Sequence, residues 1–186
     1  RAALSAPPAA GSGTTILTDD TGAGGHAHRG FARYGNSGFG GCAIGTAGGA
    51  DKCALARANG FTDAIDYRSE DFVARVRDIT GGKGVQAVYD SVGTDTIMGS
   101  LDCLAQFGTL VSFGQSSGAP DQLRVSHLAR GSLRLTRPTL FHHSANRAWL
   151  EQASADLFAM IRSGAIKVKS SSLKMTSSYP SMSMFK

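Results

Sequence analysis

A glycine-rich turn follows the first β-branched stretch of the sequence. Residues 14–18 read TTILT, and residues 23–27 read AGGHA. Between a strand and a helix, glycines let backbone N–H groups approach the pyrophosphate of a dinucleotide. Gly24, Gly25 and Ala27 are therefore candidates for contacting such a pyrophosphate. An ordinary glycine-rich turn is the alternative interpretation of the same residues.

The end of the second apolar stretch carries the next candidates. Residues 42–46 read CAIGT, and the chain continues as AGGADK to Lys52. A site for NAD usually has Asp or Glu at this strand end, where the carboxylate binds the ribose hydroxyls. Gly45 and Thr46 stand there instead, and Lys52 can offer a positive charge to a 2′-phosphate. The pattern favours NADPH, although Asp51 lies beside the lysine and a solvated helical lysine is the alternative.

Two polar loops follow later apolar stretches. DSVG at 90–93 comes after VQAVY, and FGQSSG at 113–118 comes after TLVS. The carboxyl ends of parallel strands meet along one edge of a sheet, and ligands bind there. Both loops are therefore predicted to line a ligand crevice, with ordinary turns as the alternative.

Short apolar stretches alternate with helical patterns along the chain. The strands are predicted at 14–18, 42–46, 64–67, 85–90, 109–114 and 132–136, and the helices at 50–59, from residue 70, at 95–104 and from residue 144 to Gly164. This alternation implies right-handed crossovers between parallel strands. It predicts an α/β fold built on a doubly wound, Rossmann-like parallel sheet.

Local signals indicate where several helices begin or end and which face of the last strand is apolar. Gly60 stands just past the first helix, where a left-handed residue closes a helix. Ser69 and Ser144 are the predicted N-caps of the second and the last helix. In the final strand, Leu133 and Leu135 alternate and are expected to share one face.

The composition divides the chain into three parts. Residues 1–13 are rich in Ala, Pro and Gly and indicate a linker or tail, and residues 170–186 are rich in Ser and indicate an irregular tail. The dinucleotide-binding domain is predicted over 14–169.

Residues 26–41 carry five glycines, each of which costs a helix roughly 1 kcal/mol relative to Ala. We expect 26–41 and 170–186 to be the least ordered parts, and Arg1 in place of Met indicates a fragment or a processed product.

Charge and hydropathy exclude several function classes. The net charge of +5 is spread along the chain, without the basic run of a nucleic-acid-binding arm. The sequence has no apolar stretch of membrane-spanning length and no signal-peptide pattern. We therefore expect neither a nucleic-acid partner nor a membrane partner. The scattered positive charges suit an anionic small ligand.

The cysteines and histidines show no metal-ligand spacing. Cys42, Cys53 and Cys103 are odd in number and widely spaced, which argues against a disulfide framework and a zinc cluster. They are expected to be small buried apolar residues in a reducing compartment. Neither of the two histidine pairs has a Cys or a carboxylate nearby at a spacing typical of metal ligands, so no metal site is predicted. The pairs are His26 with His28 and His142 with His143.

Three segments, in sequence order, resemble one protein family. They are DFVARVRDITGGKGVQAVYDSVGTDT at 71–96, GSLDCLAQFGTLVSFGQSSG at 99–118 and GSLRLTRPTLFHH at 131–143. In motif and spacing they resemble the zeta-crystallin-like quinone oxidoreductases of the medium-chain dehydrogenase/reductase superfamily. The similarity runs over residues 43–169. The family's substrate domain, which precedes this region, is not found in the sequence.

The resemblance implies roles for particular residues. Residues 23–27 match the family's Ala-Gly-Gly-Val-Gly pyrophosphate loop, with His26 and Ala27 in place of Val and Gly. The remaining matches are Gly48, Lys52 and Tyr67 at the adenosine 2′-phosphate, Ser91, Phe113, Gly114 and Ser116 along the nicotinamide side, and 136–139 near the nicotinamide end and the subunit contact.

The resemblance also implies a reaction. Members of this branch transfer hydride from NADPH to a quinone and do not use catalytic zinc. The protein orients the cofactor against the acceptor and needs no side-chain nucleophile, so no catalytic residue is nominated. A cytoplasmic location is implied, and a homodimer is compatible with the resemblance. The alternatives are an enoyl or alkenal reductase on the same scaffold, a non-catalytic NADPH-binding or structural protein, and a degenerate fragment with no stable fold. Because the substrate domain is missing, the chain alone is expected to be a poor enzyme.

Overall fold

The strands of the described chain form one parallel sheet. The structure is a computed structural model that describes residues 15–19, 42–58 and 60–164. The strands are β1 Thr15–Asp19, β2 Cys42–Ala47, β3 Asp63–Asp66, β4 Val85–Asp90, β5 Leu104–Ser112 and β6 Arg134–Thr136. Every hydrogen-bonded neighbour pair runs parallel. The predicted α/β fold with a doubly wound parallel sheet is confirmed.

From β2 onward, helices connect the strands and return the chain to the same end of the sheet, as parallel pairing requires. They are α1 Ala50–Ala58, α2 Phe72–Ile79, α3 Ile97–Asp102, a 3₁₀ helix Val125–Gly131, α4 Leu140–Ser144 and α5 Arg147–Arg162. The first three follow β2, β3 and β4, and the 3₁₀ helix lies between β5 and β6.

The strand order is β3-β2-β1-β4-β5-β6. This is the order of dinucleotide-binding Rossmann folds, in which the connections reverse direction between β1 and β4. β1 and β4 end side by side at this point, on the carboxyl edge of the sheet. Such a switch point is where ligands bind in open α/β sheets.

The core lies in the central strands. Leu17 of β1 is aligned with Ile44 of β2 and with Val88 of β4, and all three side chains are fully buried. Each such side chain contributes roughly 1.5–3 kcal/mol by its removal from water.

The expectation that cysteines are small buried residues is confirmed for Cys53 and Cys103, whereas Cys42 is only partly buried.

The predicted N-cap of the second helix is wrong. Asp71, rather than Ser69, caps α2, with its Oδ1 accepting from the N–H groups of Val73 at 2.9 Å and Ala74 at 3.2 Å. Ser69 lies in the preceding turn, where its Oγ donates to the carbonyl of Asp66 at 3.4 Å. Both residue types cap helices, but the Asp carboxylate also interacts favourably with the positive end of the helix dipole.

The predicted N-cap of the last helix is wrong as well. Asn146 caps α5 by accepting from the N–H of Trp149 at 3.1 Å, while Ser144 is the last residue of the short helix α4. The predicted helix ends are confirmed, since Gly60 and Gly164 have φ angles of +101° and +72°. Glycine adopts this left-handed conformation without the penalty of a Cβ.

The strands after β4 depart from prediction in two ways. β5 begins at Leu104, which pairs with Val85, and regular pairing resumes only at Thr109 after a bulge. This early start removes residue 104 from the predicted helix, which ends at Asp102. In the last strand region, Leu133 is buried but Leu135 is 42% exposed, because β6 is the edge strand of the sheet.

Several predictions fall on residues that the structure does not describe. They concern the linker at 1–13, the pyrophosphate loop with Gly24, Gly25 and Ala27, and the expected low order of 26–41 and 170–186.

Candidate functional site

The ends of β2 and β3 bring Gly48 against the turn after β3. Gly48 is buried, and a Cβ at this position would lie 2.7 Å from the Tyr67 hydroxyl oxygen and 2.9 Å from the Arg68 Nε. The absence of a side chain at Gly48 therefore allows Tyr67 and Arg68 to lie close to the backbone. Gly48 and Tyr67 were both predicted site residues, and they are neighbours in the structure.

Lys52 lies in the first turn of α1, which starts at Ala50 directly after this glycine turn. Its side chain is partly buried. The helix itself begins at the end of the sheet where β2 ends. Lys52 and Arg68 are thus two cations carried by the turns that follow adjacent strands.

Arg68 was not predicted as a site residue. Its sequence signal is a basic residue directly after Tyr67 in the turn that follows a strand. That signal gains meaning only when β3 is known to pair with β2, with Ala47 aligned to Asp66.

Asp66, the last residue of β3, joins the two turns. Its Oδ1 accepts from the backbone N–H of Gly49 at 3.0 Å and from that of Arg68 at 3.1 Å. The pKa of the Asp66 carboxyl is lowered, chiefly by the hydrogen bond from the Arg68 N–H. Desolvation is the next largest influence and opposes this, whereas the Gly49 N–H and the Ser69 hydroxyl add to the lowering.

The end of β4 is organised by a fully buried carboxylate, that of Asp90. Its Oδ1 accepts from the N–H groups of Val92 and Gly93, each at 2.9 Å. Its Oδ2 accepts from the hydroxyls of Thr96 and Ser100, also at 2.9 Å. A buried charge is tolerated when its lone pairs are filled in this way. Asp90 therefore shapes the loop at 91–96.

The loop after β5 packs directly on that loop. The Phe113 N–H donates to the Asp90 carbonyl at 2.9 Å, and the Ser116 N–H donates to the Ser91 carbonyl at 3.3 Å. A Cβ on Gly114 would lie 2.8 Å from the Ser91 Cα, so only glycine fits. The structure thus brings together Ser91, Phe113, Gly114 and Ser116, the residues predicted for the nicotinamide side.

Ser117, which sequence reasoning missed, connects the same two loops. Its Oγ donates to the Val92 carbonyl at 2.9 Å and accepts from the Asp95 N–H at 3.1 Å. Gly93 and Gly118 form a parallel bridge beside it. The two loops are therefore one connected unit.

The end of β6 is attached to the end of β5. The Arg137 Nη1 donates to the Ser112 carbonyl at 3.0 Å. Residues 136–139 accordingly leave the sheet beside the loop that follows β5. The resemblance places these residues near the nicotinamide end.

Residues 15–19, 42–58 and 60–164 contain no group of three or more His, Cys, Asp or Glu side chains that could hold a metal ion. Within those ranges, none of the helices combines the length and apolar character needed to cross a bilayer.

Comparison with known proteins agrees with this geometry. A family model described as zinc-binding dehydrogenase matches residues 37–155. Quinone oxidoreductase 1 of Escherichia coli (strain K12) is 50% identical over 126 residues, which cover 67% of this chain and 38% of that protein. The 2-haloacrylate reductase of a Burkholderia species is 42% identical over 130 residues, which cover 69% of this chain and 39% of that protein.

A solved structure shows the same fold. The crystal structure of Escherichia coli quinone oxidoreductase complexed with NADPH superposes with a TM-score of 0.77 at 42% identity. The match covers 84% of this chain and 48% of that one, so the chain spans about half of the solved protein. The resemblance stated from the sequence is confirmed. The chain belongs to the zinc-binding dehydrogenase family, and it corresponds to the Rossmann-like half of the quinone oxidoreductases within it.

Proposed function

We propose that this chain binds NADPH and forms the cofactor-binding half of an oxidoreductase that reduces a quinone. The observation that carries the proposal is the close approach of Tyr67 and Arg68 to Gly48 at the ends of β2 and β3, with Lys52 in the first turn of the helix that follows β2. Relatives named as quinone oxidoreductases, one of them solved in complex with NADPH, support it.

The adenosine end of a dinucleotide fits this group. β2 ends in Thr46 and Ala47, without the acid that would bind a free ribose hydroxyl pair. The Tyr67 hydroxyl and the Arg68 guanidinium lie close against the backbone of Gly48, where a Cβ would be 2.7 Å from the hydroxyl oxygen and 2.9 Å from the Arg68 Nε. A hydroxyl and two cations are suitable donors for a phosphate. Lys52, Tyr67 and Arg68 would therefore hold the 2′-phosphate that distinguishes NADPH from NADH.

The other end of the cofactor would lie at the connected loops after β4 and β5. Ser91, Phe113, Gly114 and Ser116 would contact the nicotinamide side, and Gly24, Gly25 and Ala27 the pyrophosphate, as the resemblance implies. The Asp90 network fixes the backbone of these loops before any ligand arrives. Such preorganisation lowers the ordering cost of binding.

When bound, reduced nicotinamide supplies the hydride for the reaction. The residues of this chain orient the ring and limit its movement, because reaction rates depend on alignment with the acceptor. The quinone itself and the proton donor are proposals for the whole protein, since the chain covers less than half the length of the curated relatives.

Reduction of an activated carbon–carbon double bond is the second candidate. The 42% identity to 2-haloacrylate reductase favours it. Parallel assays with a benzoquinone and with 2-chloroacrylate, followed by loss of NADPH absorbance, separate the two reactions. Faster turnover of 2-chloroacrylate would overturn the quinone assignment.

Organisation and location complete the proposal. Residues 14–169 form the dinucleotide-binding domain, with 1–13 as a linker or tail and 170–186 as an irregular tail. The resemblance supports a cytoplasmic protein. A homodimer is supported by the exposed edge strand β6, and sedimentation of the purified protein tests it, because a single monomeric species would contradict it.

Lys52→Glu should abolish most of the preference for NADPH. The substitution replaces a cation near the 2′-phosphate with an anion, and one hydrogen bond to a charged group is worth about 1.5–3 kcal/mol. We therefore expect NADPH to bind roughly 10- to 100-fold more weakly, with little change for NADH. Fluorescence titration with both cofactors measures the ratio.

Lys83→Glu is the matched control. Lys83 is exposed and precedes β4, at the opposite edge of the sheet. It should leave both affinities unchanged. Equal affinity of the unmutated protein for NADPH and NADH would contradict the proposed function.

A further inference from the structure

One carboxylate oxygen connects the β2–α1 turn, which leads to Lys52, with the β3–α2 turn, which carries Tyr67 and Arg68. The Oδ1 of Asp66 accepts from Gly49, which lies in the β2–α1 turn, and from Arg68, which lies in the β3–α2 turn. Gly49 and Asp66 are 17 positions apart in the chain. In addition to the backbone pairing of β2 with β3, the Gly49–Asp66 hydrogen bond therefore links the backbone of one turn directly to a side chain at the start of the other.

The first of these bonds fixes the start of α1. The Gly49 carbonyl accepts from the Cys53 N–H at 3.1 Å, so Gly49 is the residue from which the helix begins. Its φ of +116° favours glycine. Holding its N–H therefore sets the direction of the first helical turn, and with it the position of Lys52.

The second bond fixes the turn that carries Tyr67 and Arg68. That turn is itself braced, because the Glu70 N–H donates to the Asp66 carbonyl at 2.8 Å and the Glu70 Oε1 accepts from the Asp66 N–H at 3.2 Å. Glu70 also pairs with Arg75 at 3.0 Å. Asp66 is thus a fixed point from which both turns are positioned.

A carboxylate beside a phosphate site needs a structural reason. Its negative charge opposes binding of an anion, so electrostatics alone would disfavour Asp66 at this place. The lowered pKa keeps the group ionised at neutral pH, where it acts only as an acceptor. Its contribution to binding must then come from geometry.

We propose that Asp66 is the positioning residue for cofactor discrimination, because its Oδ1 sets the separation between Lys52 on one turn and Tyr67 and Arg68 on the other. The inference rests on the proposed function, in which these three residues hold the 2′-phosphate. Asp66 is assigned no contact with the cofactor.

Two substitutions at this position separate geometry from charge. Asp66→Ala removes the acceptor and the charge, whereas Asp66→Asn removes the charge and keeps an oxygen of the same reach. Asp66→Ala should weaken NADPH binding roughly tenfold and leave NADH binding nearly unchanged. Asp66→Asn should keep the NADPH to NADH ratio within about twofold. Asp63→Ala, at the other end of β3, is the control and should behave as the unmutated protein.

Hydrogen exchange supplies a readout that does not depend on the cofactor. In Asp66→Ala the amide of Gly49 should exchange roughly tenfold faster, while amides in the middle of β4 keep their protection. In Asp66→Asn the Gly49 amide should remain protected. These measurements also establish that each variant is folded.

The outcomes are distinct. If the unmutated protein prefers NADPH and Asp66→Ala keeps that preference, the inference on Asp66 fails alone. An equal loss of preference in Asp66→Asn, or an equal loss of NADH binding in Asp66→Ala, also overturns it, because the effect would then be one of charge or of general damage. If the unmutated protein shows no preference at all, the proposed function fails and the inference falls with it.

Discussion

Asp90→Ala should lower the free energy of unfolding by about 3–5 kcal/mol. The substitution leaves the N–H groups of Val92 and Gly93 and the hydroxyls of Thr96 and Ser100 without their acceptor. Donors that lose a partner inside a protein cost about 1–3 kcal/mol each when water cannot replace it. Chemical denaturation followed by circular dichroism measures the change.

Two variants sharpen this test. Asp90→Asn keeps one oxygen for the backbone N–H groups, and both hydroxyls can turn to accept from its amide, so a loss of only about 1 kcal/mol is expected. Asp95→Ala, on an exposed side chain of the same loop, should change stability by less than about 0.5 kcal/mol. An Asp90→Ala variant as stable as Asp95→Ala would show that the network contributes nothing.

Gly114→Ala should be the second most damaging substitution at the site. The new Cβ would meet the carbonyl oxygen of Ser91 and lie 2.8 Å from its Cα. Both are backbone atoms of a loop that the Asp90 network holds in place, so neither can move cheaply. Overpacking of this kind costs about 1–3 kcal/mol, which corresponds to a fall in Tm of roughly 2–12 °C for a chain of this size.

The same variant should weaken NADPH binding, because separating the two loops moves Ser91 away from Phe113. Gly131→Ala is the matched control. Its new Cβ would lie 3.0 Å from the Cδ2 of Leu133, the end of a side chain that can rotate. Thermal melts with and without NADPH compare the two. Equal melting temperatures for Gly114→Ala and Gly131→Ala would contradict the close packing of the β4 and β5 loops.

Most of the fold could be predicted from local sequence. Alternation of apolar stretches with helical patterns predicted the parallel sheet, and glycines at 60 and 164 marked the helix ends correctly. These signals succeed because each depends on a few neighbouring residues. The caps failed for the opposite reason. Ser69 and Asp71 are both good capping residues, and the choice between them depended on the turn at 66–70, which hydrogen-bonds to Asp66.

The candidate site was predictable only in part. Family motifs pointed to Gly48, Tyr67 and the loops at 91 and 113–116, and these residues do meet in pairs in the structure. Arg68, Asp66 and Ser117 carried no comparable signal. Their importance comes from contacts with Gly48, Gly49 and Val92 in turns that are distant along the chain.

The sequence by itself determined the class of fold, the family and the absence of an acid at the end of β2. Only the tertiary structure decided which turns lie side by side. The strand order places β3 next to β2 and β5 next to β4, so Asp66 can hold Gly49 and Asp90 can hold Phe113 across the sheet edge. Both hydrogen bonds join residues that strand pairing brings together, one through the Asp66 side chain and one through the Asp90 carbonyl. Strand pairing is a long-range property that no local pattern encodes.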